Sequence, residues 1–539
     1  MSFEQIIQRH CARSVPIIVV ENAIDQLATV SQVTKAIAAS DTGGHECIYH
    51  WSSVSGLQTV SGDDGTFKFS ENYLSNAVAK GANGGFTNNP VTALTVVREV
   101  INETKSSSRK DRAGFVFYMG DRVLSEDNPQ LTQCIQLLLE LRDYLKANSS
   151  CVYLVGTNFS IPKELKEHVA VLEAPLPDEP AYIKIIESCH EKLVEAQKTA
   201  EVESEFVLDD LTKQRFSDSL KGMSLFAAEQ IVYLSTDLNG MHVDDMRQRS
   251  IQQINSTKGL TVYNGDGRGF AALGGLNEIK EYSRSLLTGR LNTKLVVYLD
   301  EVEKAIAGSQ SNGDTTGISQ NFLGTLLSEM QDTNSLGMIL SGVYGAGKSE
   351  FAKRFGEEAG TLCIHMDISG MKDSLVGNSE ANLRRAMHTI KSIGGTDGGI
   401  LYMATCNRPS LLPPEFKRRF NLGTFFFYFP DADEKKVIWD IYLKMYGLED
   451  DKTRELVRDD KWTGAEIESC CRLAHLMKSD LVTASSRIVP VATMSKEDID
   501  RITDEASGKF LSVSQPGVFQ RPSSNKKTGS ATVRPTSFN

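Results

Sequence analysis

The sequence contains Gly342-Val343-Tyr344-Gly345-Ala346-Gly347-Lys348-Ser349, which fits the pattern G-x-x-x-x-G-K-[ST]. The apolar run Met338–Leu340 before it predicts a buried strand, and the residues from Glu350 to Ala359 after it favour a helix. In this context the eight residues predict a phosphate-binding loop, whose backbone N–H groups close around phosphates at a helix N-terminus. Lys348 is expected to reach the outer phosphates and Ser349 to ligate Mg²⁺. The alternative, a chance match among 42 glycines, leaves the flanking strand and helix unexplained.

Two carboxylates follow a second apolar strand. The run Leu295–Leu299 ends at Asp300 and Glu301. An apolar strand that ends in a charged turn is common, but beside a phosphate-binding loop the pair is typical of nucleoside triphosphatases. Asp300 is predicted to hold Mg²⁺, directly or through water, and Glu301 to polarise the attacking water. The Asp300 carboxylate is therefore expected about 4–7 Å from Ser349 Oγ, the span of one ion and its water shell.

Two later segments add candidate site residues. Asn407 follows the predicted strand from Ile400 to Cys406, where an amide suits the orientation of an attacking water; the alternative is a cap of the strand-end turn. Arg418 and Arg419 follow a turn at Pro413-Pro414. One interpretation of these two arginines is that both cap a helix C-terminus.

Composition limits the possible partners. The chain has 539 residues, enough for three or four domains at about 150 residues each. Its net charge of −11 and isoelectric point near 5.5 argue against a generic nucleic-acid or membrane binder. The sequence offers no apolar run near the ~20 residues that span a bilayer, and its N-terminus lacks the order of a signal peptide. Nine scattered cysteines without metal-ligand spacing are expected to be reduced thiols, which predicts a cytoplasmic protein.

Strands and helices alternate in residues 1–195. Strands are predicted near Val15–Val20, Cys47–Trp51, Gly114–Tyr118 and Cys151–Val155, and an amphipathic helix over Pro129–Asn148. This alternation predicts a parallel sheet with helices on its faces. The region has no G-x-x-x-x-G-K pattern, and its glycine loop at residues 81–85 is expected to be a turn. Scaffolding or docking is the expected role.

Residues 196–269 are predicted to form a helical bundle and a linker, with Asn264–Gly269 marking the boundary through three glycines. The lid-like helical region is expected at residues 430–505. A tail at residues 506–539, rich in small and polar residues beyond Pro516, is predicted to be disordered. Lys526, Lys527 and Arg534 in the tail are open to an anionic partner, but a solvated tail is the favoured interpretation.

These motifs together resemble those of AAA+ ATPases over residues 270 to about 505. The lead-in Leu273–Lys280 and the run Leu375-Val376-Gly377 look like the conserved-reading-frame AAA ATPase of cyanobacteria and red-algal plastids, which has related forms in phages. Weaker similarity reaches Trp51–Leu57 and Glu173–Asp178. The resemblance also allows the plastid stroma or the cytoplasm of a phage-infected cell as the location.

The resemblance implies an α/β fold: a degenerate RecA-like domain at residues 1–195, then a P-loop AAA+ parallel sheet at residues 270–429 with strand order 5-1-4-3-2, and a helical lid. It implies ATP and Mg²⁺ as cofactors and a homo-oligomeric ring, expected to be a hexamer. It places Ala465 at the second sensor position beside the nucleotide. It also gives the other interpretation of Arg418 and Arg419, in which either arginine neutralises transition-state charge on a neighbouring subunit's nucleotide. An unknown protein partner is expected to dock through residues 1–195, with no membrane and no nucleic acid involved.

The sequence departs from the AAA+ pattern in the order of its blocks. Asp300-Glu301 precedes the phosphate loop, so the blocks 294–333 and 334–395 appear exchanged. The exchange is foldable if the strand ending at Asp300 lies between those ending near Asp367 and Asn407, with the Gly342 strand beyond the Asn407 strand. Two new connections result, of which Thr333–Ser335 is tight because it reaches only about 10 Å.

Two further departures affect function. Leu375 replaces the aromatic residue that many AAA+ unfoldases place before Val-Gly, and no glycine separates Arg418 from Arg419. The sequence therefore predicts an AAA+ ATPase that remodels or regulates a macromolecular partner. The alternative is an ATP-dependent oligomeric switch or scaffold without unfolding activity. A DNA-directed ATPase is less favoured, since no helix-turn-helix or basic-aromatic patch is evident.

Overall fold

The computed structural model describes residues 2–39, 47–61, 68–69, 87–106, 112–175, 177–202, 206–307, 318–371 and 378–522. The glycine loop at 81–85, the Leu375–Gly377 run and the basic residues of the tail lie outside these ranges. The chain forms two compact units, Met1–Ser250 and Ile251–Asn539, each built on a seven-stranded sheet. No helix among the described residues is both long and apolar enough to cross a membrane.

The first unit is an α/β fold followed by small helices. Its strands are β1 (Ile17–Glu21), β2 (Cys47–Ser52), β3 (Gly56–Ser61), β4 (Lys68–Phe69), β5 (Ala113–Tyr118), β6 (Cys151–Val155), β7 (Ala170–Glu173), β8 (Thr236–Asp237) and β9 (Gly240–Met241). Its helices are α1 (Phe3–Ala12), α2 (Gln26–Ala38), α3 (Pro90–Ser106), α4 (Gly120–Val123), α5 (Leu131–Ala147), α6 (Glu179–Ala200), α7 (Asp210–Leu220), α8 (Leu225–Leu234) and α9 (Val243–Asn255), the last of which runs past the unit boundary.

The first sheet has the order β4-β3-β2-β5-β6-β1-β7, with parallel pairing from β2 to β7. Its central strands are buried on both faces, which explains why β6 is apolar throughout. The four predicted strands and the helix at Leu131–Ala147 are confirmed. The bundle predicted from residue 196 begins earlier, because buried residues of α6 such as Tyr182 and Ile186 pack with Phe216 and Val232.

The second unit carries the phosphate-loop motif. Its strands are β10 (Leu260–Tyr263), β11 (Leu295–Leu299), β12 (Leu336–Gly342), β13 (Leu362–Met366), β14 (Ile400–Cys406), β15 (Thr424–Phe427) and β16 (Leu511–Ser512). Its helices are α10 (Asn277–Thr288), α11 (Val302–Ala307), α12 (Ile318–Asp332), α13 (Lys348–Glu358), α14 (Ile368–Met371), α15 (Asn378–Gly394), α16 (Pro414–Arg419), α17 (Ala432–Tyr446), α18 (Gly464–Met477), α19 (Leu481–Ser485), α20 (Val491–Met494) and α21 (Lys496–Ala506).

The second sheet has the order β10-β13-β11-β14-β12-β15-β16. Every pair is parallel except β10 with β13. The strand that ends before Asp300 lies between β13 and β14, and the strand that leads into the phosphate loop lies beyond β14. Asp300, Asn407 and the loop after Gly342 therefore stand together at the carboxyl edge of the sheet. Parallel α/β sheets commonly bind ligands at this edge.

Helices α17–α19 form a compact layer in the region predicted to be a lid. Trp439 and Trp462 are buried in its core, with ring centroids 6.3 Å apart. α17 begins at a capping box formed by Asp431 and Glu434, and α18 at one formed by Thr463 and Glu466. These reciprocal caps satisfy orphan amides and fix where both helices start.

Two segments differ from the sequence prediction. Leu260–Tyr263, placed in the linker, is an antiparallel edge strand of the second sheet, because its alternating Leu260 and Val262 side chains are buried. The part of the predicted disordered tail up to residue 522 is ordered: β16 pairs with β15, and Val513 and Phe519 are buried. Two large apolar side chains within a polar, glycine- and proline-containing segment are the signal that composition alone obscured.

Candidate functional site

The loop between β12 and α13 has the backbone freedom that phosphate binding requires. Gly342 has φ +139°, and a Cβ there would lie 2.1 Å from the backbone oxygen of Phe427. Gly347 has φ +93° and precedes the first residue of α13 without a side-chain cap. Both positions therefore need glycine, and the uncapped helix N-terminus presents free N–H groups to an anion.

Lys348 is the first residue of α13 and is only 7% exposed. Its Nζ donates to the backbone oxygens of Gly342 (3.0 Å) and Val343 (2.8 Å). Burial lowers the pKa of Lys348 to about 8, against the opposing pull of nearby acidic groups that include Glu303 and Asp300. The lysine is thus held inside the loop as a poorly solvated cation, which bound phosphate oxygens would stabilise.

Asp300 meets Ser349 directly. Ser349 Oγ donates to Asp300 Oδ1 at 3.3 Å, and Thr405 Oγ1 donates to the same oxygen at 2.6 Å. The Ser349 distance is shorter than the predicted 4–7 Å, because the hydroxyl bonds the carboxylate itself. Burial acts to raise the pKa of Asp300, but hydrogen bonds from Thr405 and Tyr298 and the nearby His365 outweigh it and lower that pKa. Asp300 is therefore ionised and suited to a hard cation.

Glu301 lies in a strained position beside Asp300. Its φ is +47°, a left-handed conformation that a non-glycine residue adopts only where its surroundings enforce it. Thr405 Oγ1 accepts from Glu301 N at 2.9 Å, and Asn407 Nδ2 donates to Glu301 Oε1 at 3.3 Å. Lys304 forms an ion pair with the other carboxylate oxygen. The structure thus brings Glu301 and Asn407 together, as their predicted roles require.

Three residues of this network were missed by sequence reasoning. Thr405 bridges Asp300 and Glu301, Lys304 pairs with Glu301, and Glu303 accepts from Asn407 N at 3.0 Å. Glu303 is 5% exposed and its Oε2 has no hydrogen-bond partner in the described part of the chain. A polar threonine at the end of an apolar strand was the available signal for Thr405. Lys304 and Glu303 carried none beyond ordinary helix composition.

A cavity of about 540 Å³ opens over these groups. The polar part of its lining includes the phosphate loop, Asp300, Glu301 and Asn407. Ala465 also lines it, and its N–H donates to Gly345 O at 3.3 Å. The lining also has an apolar part, formed by Leu273, Leu276, Ile438, Ile441, Tyr442 and Met445. A lining with both polar and apolar parts matches the phosphates and the base of a nucleotide.

Arg418 and Arg419 lie away from this cavity. They occupy the last turn of α16, where Arg418 is exposed and Arg419 Nη2 donates to Gln331 Oε1. Neither lines the cavity of its own chain. Their position suits both alternatives, a contact with a neighbouring copy's nucleotide and a favourable interaction with the helix C-terminus.

The polar residues that line the cavity fit a Mg²⁺–nucleotide complex. No group of three or more His, Cys, Asp or Glu side chains in the described residues is arranged to hold a metal. Asp300 and Ser349 alone meet the requirement of Mg²⁺, which is usually held by one or two protein ligands, substrate phosphates and waters.

The first unit has a corresponding arrangement without the phosphate loop. By strand register, Met119 corresponds to Glu301 and Thr157 to Asn407, while Gln26, like Lys348, is the first residue of its helix. Gln26 Nε2 donates to Thr157 Oγ1 at 2.7 Å, and Gln26 Oε1 accepts from Met119 N at 3.2 Å. Asp121 accepts from Thr157 N at 3.3 Å. The polar groups at this edge therefore bond to each other.

The loop, buried lysine and paired carboxylates at the carboxyl ends of parallel strands are typical of P-loop nucleotide-binding proteins. Within that class, the chain is similar to proteins named "uncharacterized AAA domain-containing protein ycf46". It is 22% identical over 421 residues to that of Guillardia theta, covering 69% of this chain and 75% of the relative. It is 22% identical over 517 residues to that of Gracilaria tenuistipitata var. liui, covering 86% and 90%. The predicted resemblance to this family is confirmed.

The chain is also similar to one further relative and to one solved structure. The ycf46 protein of Trieres chinensis is 20% identical over 484 residues, covering 79% of this chain and 85% of the relative. No protein-family model matches the chain. A crystal structure of the FIGL-1 AAA domain is similar with a TM-score of 0.30 and 16% identity, covering 47% of this chain and 93% of that one.

Proposed function

We propose that this chain is a Mg²⁺-dependent ATPase of the AAA+ class. The observation that carries the proposal is the meeting of Lys348, Asp300 and Glu301 at one cavity whose lining has both polar and apolar residues. The same three groups are the ones that nucleoside triphosphate hydrolysis uses for phosphate binding, cation binding and water activation.

Each group has a defined task in this proposal. Lys348 leaves its two carbonyl partners and binds the outer phosphates, while the N–H groups of the loop bind the inner ones. Asp300 and Ser349 hold Mg²⁺, which when bound neutralises phosphate charge. Glu301 and Asn407 orient and polarise the attacking water. Thr405 positions both residues by donating to the Asp300 carboxylate and accepting from the backbone N–H of Glu301.

The sheet supports an AAA+ assignment with exchanged connections. Its central order, β15-β12-β14-β11-β13, is the AAA+ order 5-1-4-3-2 with the acidic strand placed first in the chain. The first sheet has the same order, β7-β1-β6-β5-β2, in the usual chain direction. We infer that residues 1–195 are a RecA-like domain without nucleotide chemistry. Its internally bonded edge, centred on Gln26, supports the absence of nucleotide chemistry, and docking of a partner is the role that we propose for this domain.

The finer function we propose is ATP-driven remodelling or regulation of a macromolecular partner by a homo-oligomeric ring, with Arg418 or Arg419 acting on the neighbouring copy. The rival is an ATP-dependent switch or scaffold. Partner-stimulated hydrolysis with unfolding of the partner favours remodelling, whereas ATP-dependent assembly without unfolding favours the scaffold. Capture of partners by the Glu301→Gln protein, held in its ATP-bound state, supplies the material for this comparison.

The ATPase proposal is tested by phosphate release with three proteins: wild type, Lys348→Ala and the exposed-surface control Lys452→Ala. Wild-type and Lys452→Ala proteins are expected to hydrolyse ATP equally, because Lys452 is exposed in the helical layer. Lys348→Ala is expected to lose binding. Wild-type protein that neither binds nor hydrolyses ATP in the presence of Mg²⁺ would refute the proposal.

A further inference from the structure

The segment after α21 folds back as a hairpin, residues 508–519, which we name the C-terminal hairpin. Phe519 N donates to Phe510 O at 2.7 Å, Ser512 N donates to Gly517 O at 2.9 Å, and Leu511 bridges Val518 in antiparallel fashion. Its first strand, β16, extends the sheet beside β15. A hairpin that adds a strand to a sheet edge is held by backbone hydrogen bonds rather than by its own small core.

The tip of the hairpin caps α10. This helix starts after Leu276, which has φ +59°, and it has no side-chain cap. The carbonyl oxygen of Val513 instead accepts from Glu278 N (3.1 Å) and Ile279 N (3.2 Å). Free N–H groups at a helix start must find acceptors, so the hairpin replaces the missing cap and determines where α10 begins. The Val513 side chain is 2% exposed and packs in the cluster of Leu273 and Ile279.

The hairpin thereby reaches the lining of the cavity. Leu273, Gly274 and Leu276, the residues that lead into α10, line the cavity, and so does Ser514 of the hairpin. The centroid of the Phe519 ring lies 4.6 Å from that of Phe426 and 5.4 Å from that of Tyr428. Tyr428 also lines the cavity. These contacts connect the hairpin to the wall of the cavity on two sides.

The other end of the hairpin is fixed to α21. Arg521, just beyond it, forms ion pairs with Asp500 (2.6 Å) and Asp504 of that helix. Phe519 lies in one apolar cluster with Ile499 and Ile502 of α21 and with Val343 of the phosphate loop. A single segment therefore shares an apolar cluster with the phosphate loop, caps α10 and is fixed to the last helix.

We propose that the C-terminal hairpin is a positioning element of the nucleotide site, which holds the loop from Leu273 to Leu276 against the base. The proposal rests on the proposed function, because it assigns a role in binding the base of a nucleotide. It predicts that loosening the hairpin weakens nucleotide affinity and base selection while leaving the catalytic carboxylates in place. Asp300 and Glu301 bond to Thr405 and Ser349, and no hydrogen bond connects them to the hairpin among the described residues.

The test compares Phe519→Ala with Val518→Ala, its neighbour on the exposed side of the hairpin. The dissociation constants for fluorescent ATP and GTP analogues, KM and kcat are measured with each protein. Phe519→Ala is expected to raise the dissociation constant for ATP about tenfold, the equivalent of one lost contact of ordinary strength. It is also expected to reduce the ratio of the dissociation constant for GTP to that for ATP. Its kcat at saturating ATP and the behaviour of Val518→Ala are expected to match wild type.

Hydrogen exchange of the amides of Glu278 and Ile279 provides a second readout, since their acceptor is the hairpin. Arg521→Ala removes only partly exposed ion pairs and keeps the apolar core intact. Gln520→Ala is its control. Faster exchange at both amides together with weaker ATP binding supports the proposal. If Phe519→Ala and Arg521→Ala fold and bind ATP with wild-type affinity, the role of the hairpin is overturned and the proposed ATPase function stands. If the wild-type protein does not bind ATP, the proposed function is overturned as well.

Discussion

ATP binding is expected to weaken as the pH rises above 8, because the phosphates need the charged form of Lys348. Burial lowers the pKa of this lysine in the free protein from 10.5 to about 8. Phosphates bound against Nζ favour the charged form, so binding restores the higher pKa and takes up a proton. If the bound pKa returns to 10.5, linkage predicts an affinity about 30-fold lower at about pH 9.5 than at about pH 7.

The assay is the dissociation constant of a fluorescent ATP analogue between pH 7 and 9.5 at constant ionic strength and Mg²⁺ concentration. Lys348→Arg is the matched control, since a guanidinium stays charged throughout this range. Its affinity is expected to be lower than that of wild type but nearly independent of pH. Glu303, Asp300, Glu301 and Cys406 also act on the lysine, and the control retains all four. An equal loss of affinity in Lys348→Arg would refute the assignment of the proton to Lys348.

The same pKa shift has an opposite consequence for folding. In the unfolded chain Lys348 regains its usual pKa of 10.5, so between about pH 8 and that value the unfolded state binds the additional proton. The free energy of unfolding therefore increases as the pH rises through this window, because the cost of burying Lys348 becomes smaller. Below pH 8 the lysine is charged in both states, and its full burial cost remains.

Other substitutions test separate parts of the site. Glu301→Gln is expected to keep ATP binding and lose turnover by several orders of magnitude, while the exposed control Glu449→Gln keeps both; unchanged phosphate release from Glu301→Gln would remove the role of that carboxylate. Thr405→Val removes the hydrogen bonds of the hydroxyl to the Asp300 carboxylate and to the backbone N–H of Glu301. It is expected to lower kcat with little change in nucleotide affinity, a kcat-against-KM split that an effect on folding alone would not give. Arg418→Ala/Arg419→Ala protein is expected to bind ATP but hydrolyse it poorly, and Lys348→Ala protein to restore part of the activity in mixed assemblies; no rescue once assembly is verified would leave the arginines as helix caps.

The central strands and the polar edge could be predicted because their signals are local. Apolar runs that end at Asp300, Gly342 and Asn407 specify three buried strands, and parallel strands place their carboxyl ends together. The distance between Ser349 and Asp300 could not be predicted, since it depends on whether the hydroxyl donates to the carboxylate. Hydrogen-bond choices of this kind are decided by the whole site and not by motif spacing.

The edge strands and the hairpin were harder to predict. Leu260–Tyr263 and Leu511–Ser512 are short. Their pairing partners lie 100 to 106 residues away in β13 and 86 residues away in β15. A two-residue strand has no measurable periodicity, and Gly508 and Gly517 gave the hairpin a loop-like composition. Its stability comes from the backbone amides of α10 and the rings of Phe426 and Tyr428, which no local window includes.

We propose that the blocks 294–333 and 334–395 are exchanged and that only the loops at one edge of the sheet were reconnected. The ends of these loops lie side by side at that edge. Lys294 N donates to Gly399 O at 2.8 Å, and Gly398 N donates to Thr333 O at 3.0 Å. The tight joint at Thr333–Ser335 turns through Asn334 at φ +50°. Since the amino ends of the strands adjoin one another, exchanging their connections alters this edge and leaves Asp300 and Lys348 at the opposite, carboxyl edge.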